Sequence, residues 1–318
     1  MSPEATARRV YRKWPRPGPA LVQRLLPIAL LGFIAACATN PSAGSLAQEI
    51  AIQRNESAEK FSSQPTLRVA SLNIAHGRGD SLNQLLVSTQ DTHENLSTIA
   101  EFLKARDIHV AALQEVDSPS RWSGSFDHAS YLATAAGFGY WAQAAHARLG
   151  VAQYGTAVLS RAPIENALAI NFAPSPPTAN KGFTLAEIVW QTSESESIVV
   201  DVVSIHMDFS RKSVRQAQLE ELEKAVYDRS NPIVLMGDFN SEVLARQLML
   251  PDANNPRQLH TVFGTDSEYA SYKDKRLDWI IVSGELAIID YQSDSAVLSD
   301  HRAVIATLAL KNNNEERP

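Results

Sequence analysis

Six separate segments of this chain set an acid, an amide or a histidine at the end of an apolar run: Asn73, Glu115, His206, Asp238 with Asn240, Asp278, and Asp300 with His301. Carboxylate and amide oxygens are hard donors that suit a divalent cation such as Mg²⁺. Joined to poised histidines, they form the inventory needed to hydrolyse a phosphate ester. Neither a nucleophilic cysteine nor a nucleotide-binding glycine loop competes with them, and the single cysteine, Cys37, lies far upstream.

The segments that must position these side chains read as buried strands over 67–74, 110–113, 157–159, 198–205, 233–236 and 279–282. Helical faces lie between several of them. Leu96, Ile99, Ala100 and Leu103 share one face, and Val214, Leu219, Leu222 and Val226 share another, which Asn231-Pro232 closes before the next strand. The runs 183–190 and 198–205 flank a polar turn at 192–196 and predict a hairpin. Mixed strands with helices outside predict two stacked sheets with helical flanks, although the pattern alone also admits a doubly wound sheet. Apolar runs continue from 66 to 309 without a long linker, so one large domain is expected.

Within 318 residues, the hydrophobic share of 44% and charged share of 20% are those of a globular chain, neither disordered nor multispanning. The net charge of -6 hides an asymmetry: positions 1–36 hold six of the 29 Lys and Arg but one of the 35 acids. The remainder sets 23 bases against 34 acids, opposite in sign to the basic surplus by which nonspecific nucleic-acid binders displace counterions. Long polyanions are therefore the less natural substrate. One cysteine excludes an internal disulfide and a multi-cysteine zinc site.

Arg8, Arg9, Arg12, Lys13, Arg16 and Arg24 precede an apolar run over 25–36, the layout of a signal peptide. The run falls short of the roughly 20 residues a membrane span needs. Ile34, Ala35, Ala36 and Cys37 resemble the lipobox of bacterial lipoproteins, which implies that Cys37 is lipidated and begins the mature chain. Ala38 is not the aspartate that favours inner-membrane retention in similar Gram-negative lipoproteins, so an outer-membrane location facing the periplasm is expected. The Ser-, Ala-, Gln- and Asn-rich stretch over 37–65 reads as a flexible tether, and 312–318 as a polar tail.

The ordered motifs Ser71-Leu72-Asn73-Ile74, Leu113-Gln114-Glu115-Val116, YGTAVLSR from Tyr154 to Arg161, SIHMD from Ser204 to Asp208, GDFN from Gly237 to Asn240, LDWI from Leu277 to Ile280 and SDH from Ser299 to His301 resemble those of the endonuclease/exonuclease/phosphatase family. The resemblance spans a catalytic domain over 66–311 and implies an α/β (α+β) four-layer sandwich of two mixed β-sheets flanked by helices. It also implies roles. Glu115 becomes the main Mg²⁺ ligand, with Asn73 beside it and Mn²⁺ a possible substitute. His301 is the base, or else the group that steadies the transition state, and Asp278 is its orienting carboxylate. Asp300 either joins the metal site or positions His301. Asp238 orients or deprotonates the attacking water, Asn240 donates to phosphate oxygens, and His206 stabilises the leaving group or transition state.

Two departures bear on substrate. Thr156 stands where many relatives carry asparagine, and Ala75 where some DNA-repair members carry an extra acid. Tyr154 either contacts phosphate or packs, while Lys181, Arg211, Lys212 and Arg215 are basic residues near loops that could grip a phosphate. The segment from Arg121 to Tyr131, with Trp122, is placed at the pocket mouth. An acidic, membrane-tethered monomer is expected to cleave a phosphodiester in a lipid headgroup or small molecule. DNA hydrolysis, phosphomonoester hydrolysis and a noncatalytic binding module on the same fold are the alternatives.

Overall fold

Alternation of apolar and polar residues gives each strand two faces, and in this protein both faces of most strands are covered. The computed structural model describes residues 47–250, 257–265 and 267–311. The signal peptide over 1–36, the lipidation site Cys37 and the tail over 312–318 lie outside the described residues.

In chain order the elements are β1 (Gln48–Glu49), β2 (Gln53–Arg54), β3 (Thr66–Asn73), α1 (Thr89–Ala105), β4 (Val110–Asp117), α2 (His128–Ala136), β5 (Tyr140–Leu149), β6 (Ala152–Ser160), β7 (Ile164–Asn171), β8 (Gly182–Gln191), β9 (Ser197–His206), α3 (Lys212–Val226), β10 (Ile233–Asp238), α4 (Glu242–Gln247), β11 (Asp278–Val282), β12 (Leu286–Ser293) and β13 (Val304–Leu310). They form a six-stranded sheet, β1-β7-β8-β9-β10-β11, and a seven-stranded sheet, β12-β13-β3-β4-β6-β5-β2. Most neighbours are antiparallel, but β3 with β4 and β9 with β10 are parallel. Parallel neighbours need a crossover, and α1 and α3 supply them.

The inner faces pack sheet on sheet: Leu67, Val69, Ala112 and Val158 meet Ala186, Val202, Met236 and Ile280 in one core. On the outer side of the seven-stranded sheet, Leu72, Leu113 and Leu159 are covered by Leu96, Ile99 and Leu103 of α1 and Leu132 of α2. On the other outer side, Leu185, Val203, Leu235 and Ile281 are covered by Leu219 and Leu222 of α3 and Leu244 of α4. The result is the expected four-layer sandwich of two mixed sheets between helices. Burying a leucine contributes about 1.5–3 kcal/mol, so these cores dominate stability. A capping box between Ser88 and Asp91 fixes where α1 begins.

The β8–β9 hairpin pairs Phe183 with Ile205 and Trp190 with Ile198, as the flanking runs predict. The tether expected over 37–65 is corrected over its described part. Gln48–Glu49 adds to β7 and Gln53–Arg54 to β5, Ile50, Ile52 and Phe61 pack on the inter-sheet core, and Trp190 Nε1 donates to Gln64 O at 2.7 Å. These edge pairings use backbone groups and leave little side-chain periodicity to read. Among the described residues no helix is long and apolar enough to cross a membrane.

Candidate active site

Toward one end of the sandwich the inward faces change from apolar to polar. Along β3 the inward residues run Leu67, Val69, Ser71, Asn73; along β9, Val200, Val202, Ser204, His206; along β10, Val234, Met236, Asp238. Strand β11 runs antiparallel to β10 and begins with Asp278 opposite Asp238. Just below the ends, Gln114 Nε2 donates to Ser204 Oγ at 3.1 Å, and the Thr156 and Thr184 hydroxyls meet at 2.8 Å. His146 Nε2 lies 2.9 Å from Thr156 Oγ1, and burial pushes that histidine down to about 4, so it is a neutral member of this layer. The position of Thr156 is thus a strut between sheets.

Glu115 reaches the pocket because strand β4 breaks its period. Leu113 faces the helices, so strict alternation would send Glu115 the same way. Gln114 pairs with Thr156 and Val116 with Gly155, which leaves Glu115 as the extra residue of a bulge, at φ +53°. Gly237 of the GDFN motif serves a related end: at φ +147°, a Cβ there would lie 2.0 Å from Ile205 O, so only glycine lets β9 and β10 close up beside His206 and Asp238.

The side chains then meet in a network. Asn73 Nδ2 donates to Asp238 Oδ2 at 3.3 Å, while Asn73 Oδ1 accepts from Ala75 N at 3.0 Å. Asn240 N donates to Asp238 Oδ1 at 2.8 Å, and its Nδ2 donates to Met207 O at 3.1 Å. His301 Nδ1 lies 2.7 Å from Asp278 Oδ2, and its Nε2 lies 4.0 Å from Asp238 Oδ2. His206 Nε2 sits between Asp238 Oδ2 at 3.7 Å and Glu115 Oε1 at 3.8 Å, with Lys181 Nζ 2.9 Å away. Asp300, on the rim, takes Arg78 Nη2 at 2.8 Å.

Electrostatics divides these groups into distinct states. Burial would raise Glu115, but attraction to His76, Lys181, His206 and His301 outweighs it and holds the carboxyl at about 2. Burial and then the negative charge of Asp278 push Asp238 up to about 7. Burial would lower His301, yet the charge and hydrogen bond of Asp278, with Asp238 and Asp300, carry it up to about 10. Burial and then Lys181 hold His206 well below its usual value, and burial lowers Lys181. At neutral pH the pocket therefore contains an ionised Glu115, a cationic His301 and a neutral His206.

The donor set suits a hard divalent cation. Among the described residues one group of three ligating side chains, Asp238, Asp278 and His301, gathers within 4.8 Å, and the buried Asp278 Oδ1 has no hydrogen-bond partner. His301, however, is already paired with Asp278 and cationic, so it repels a cation. Glu115 and Asp238 supply hard oxygens outside that hydrogen-bonded pair.

Tyr154 and Lys181 both lie beside the pocket. Tyr154 stands edge to face with His76, ring centroids 4.6 Å apart, and Lys181 is buried against His206. Arg211 is not brought in: its guanidinium binds the Ser175 and Pro176 carbonyls, Pro176 O at 3.0 Å, and braces that loop. His76, Asp117 and Arg78 line the same region without belonging to any sequence motif, alongside Trp122 of the segment expected at the pocket mouth. Their only signal is proximity, since His76 follows Asn73 by three positions and Asp117 follows Glu115 by two. A second cleft, of about 580 Å³, opens at the opposite end of the sandwich among Arg54, Lys60, Tyr140, Arg161 and Glu196 and contains none of the strand-end acids, amides and histidines described above.

The Endonuclease/Exonuclease/phosphatase family profile matches residues 70–301, the span that holds every strand-end group described above. This chain belongs to that family. Members are phosphoester hydrolases, typically dependent on a divalent metal. The chain is similar in fold to an endonuclease/exonuclease/phosphatase from Beutenbergia cavernae (18% identity, TM-score 0.57, covering 78% of this chain and 72% of that one). It is similar also to the human nocturnin catalytic domain with bound sulfate anion (16%, 0.58, 82% and 98%) and to a Bacteroides thetaiotaomicron mannosyl-6-phosphatase (14%, 0.51, 77% and 100%). No match is found among curated protein sequences. At these identities the likeness shows the fold, and chemistry must be argued from this family member's own pocket.

Proposed function

We propose that this chain is a Mg²⁺-dependent phosphodiesterase whose substrate is a lipid headgroup or a small phosphodiester. The observation that carries the reading is the convergence, in one pocket, of the Glu115, Asp238 and Asp278 carboxylates with His206, His301 and Lys181. Asp238 is held at both oxygens, by Asn73 and by the backbone of Asn240, in an orientation fit to align water and take its proton. His301, kept protonated by Asp278, meets the negative charge that grows on the phosphoryl oxygens. Neutral His206, with Lys181 beside it, faces the departing oxygen and can pass it a proton drawn from the lysine. When bound, Mg²⁺ would be held by Glu115 with Asn73 and Asp238 alongside and would supply hard positive charge to the phosphate; Mn²⁺ is expected to substitute.

The lipid reading has its own support. Leu82, Leu85 and Leu86 are 102%, 77% and 80% exposed, whereas the polar Gln84 among them is 7% exposed. This turn is inside out, and it adjoins the pocket: Gln84 Nε2 donates to Trp122 O at 3.3 Å, and Trp122 stacks near Tyr154. Projecting leucines next to a phosphate pocket suit a lipid surface. Lipidation of Cys37 and an outer-membrane location belong to the same proposal, tested by fatty-acid labelling that Cys37→Ser should abolish.

The deciding experiment is a substrate panel with Mg²⁺, Mn²⁺ or chelator. Cleavage of phospholipid and of a soluble diester, lost with chelator and in His301→Ala, is expected. Digestion of plasmid DNA alone would move the assignment to a nuclease, and release of phosphate from monoesters alone to a phosphomonoesterase. Metal binding without turnover would make the chain a binding module.

A further inference from the structure

Between the ends of β3 and β4 lies a histidine that the catalytic scheme does not use. Ala75, His76 and Gly77 lie in succession at φ +47°, +57° and +72°. Side-chain-bearing residues seldom adopt this left-handed region, and two of them in a row persist only where the surroundings enforce it. At Gly77 a Cβ would also come within 2.9 Å of Thr92 Cγ2 on α1, so the turn is pressed against that helix. The product of this backbone is the placement of one imidazole, which is nearly buried.

The ring is clamped on both sides. Its Nδ1 lies 2.7 Å from Asp117 Oδ1 and its Nε2 lies 3.2 Å from Glu115 Oε2. Asp117 is fully buried and itself held, accepting from Trp122 Nε1 at 2.5 Å and from the Ser123 hydroxyl. The contact of Asp117 at Nδ1 fixes the ring plane. Nε2 is thereby directed at Glu115 Oε2 and bounds the rotation of that carboxylate. Glu115 needs such a bound, because a bulge residue has no ladder partners to steady it.

We propose that His76 and Asp117 form a positioning dyad that fixes the Glu115 carboxylate for its cation, separate from the His301–Asp278 pair. The chain of support runs from Trp122 and Ser123 at the pocket mouth through Asp117 and His76 to Glu115. This rests on reading Glu115 as a metal ligand, and the test separates the two ideas.

Mn²⁺ binding to the full-length protein, without substrate, is followed by the spin resonance of the free ion, with melting temperature recorded in parallel. In His76→Ala and Asp117→Asn the Kd for Mn²⁺ should weaken about 10- to 100-fold, the usual cost of losing an outer-shell partner. Trp122→Phe, which removes one support of Asp117 and leaves the clamp in place, should weaken it by a smaller factor and remains informative if the other variants fold poorly. Glu115→Gln serves as the reference. If Glu115→Gln leaves Mn²⁺ affinity unchanged, the ligand reading fails. If Glu115→Gln abolishes binding while the three dyad variants stay within about twofold of wild type at unchanged or lowered melting temperature, the dyad is structural only and the proposal is overturned.

Discussion

Two histidines flank this pocket, His76 and His301, and each holds a buried carboxylate through Nδ1 at the same 2.7 Å. Their surroundings differ in every other respect. Asp278 is the first residue of a core strand, and its second oxygen has no partner; Asp117 is saturated by an indole and a hydroxyl. His301 presents Nε2 toward Asp238 at 4.0 Å, beyond hydrogen-bond reach, whereas His76 Nε2 is closed onto Glu115 at 3.2 Å. A histidine–carboxylate pair therefore does not define a role by its own geometry. The unsatisfied pair with an open face can respond to charge that develops in a reaction, and the saturated pair with a closed face can only hold a neighbour in place.

The largest effect that would sharpen this comparison is on turnover at saturating metal. His301→Ala is expected to lower kcat by about 10²- to 10⁴-fold, the range for loss of a proton-transfer or charge-stabilising group. His76→Ala should recover most of its kcat once Mn²⁺ is raised. Equal, metal-insensitive losses in steady-state kinetics would erase the distinction between the two pairs.

A second effect concerns pH. Asp278 raises His301 from 6.5 to about 10 against the opposing pull of burial, so the folded state binds this proton more tightly than the unfolded chain does. The pair's stabilisation is thus complete below 6.5 and is lost as pH rises through about 10. In chelator, the melting temperature of wild type should fall across that window by about 5 °C more than that of Asp278→Asn. Parallel melting curves for the two proteins would show that the pair contributes nothing to folding.

The smallest effect separates surface from site. Leu82→Ser, Leu85→Ser and Leu86→Ser together should reduce hydrolysis of vesicle phospholipid about tenfold, equivalent to about 1.4 kcal/mol, as expected where each leucine buries only part of its surface in the lipid. Hydrolysis of a soluble diester should not change. An equal loss on both substrates would place the turn in the pocket's architecture and remove its case for a lipid surface.

Much of this was legible in the sequence because the chemistry sits where apolar runs stop. Asn73, His206, Asp238 and Asp278 terminate or begin runs whose inward faces are otherwise Val, Leu and Met, and period-two alternation carries them onto one rim. Strand β5 was not legible, because its Ala142, Ala144, Ala145 and Ala147 lack the branched side chains that mark strands. The edge pairings of 48–49 and 53–54 are backbone events, which is why that stretch read as tether. Within the site, alternation alone would have turned Glu115 toward the helices; only the bulge reverses it. His76 carries no periodic signal at all, since three consecutive left-handed residues in a loop follow no repeat. Arg211 has the chemistry of a phosphate clamp, but neighbouring carbonyls occupy its two terminal nitrogens, and occupancy of that kind is a property of the folded loop.

Glu115 anchoring a cation that the remaining groups surround is the central claim. The direct measurement is turnover of bis-p-nitrophenyl phosphate titrated with Mg²⁺ in wild type and Glu115→Gln. Saturable activation of the wild type, abolished by chelator and reduced at least about 100-fold in the variant, is the predicted result. Undiminished turnover in Glu115→Gln, or in chelator, would contradict it.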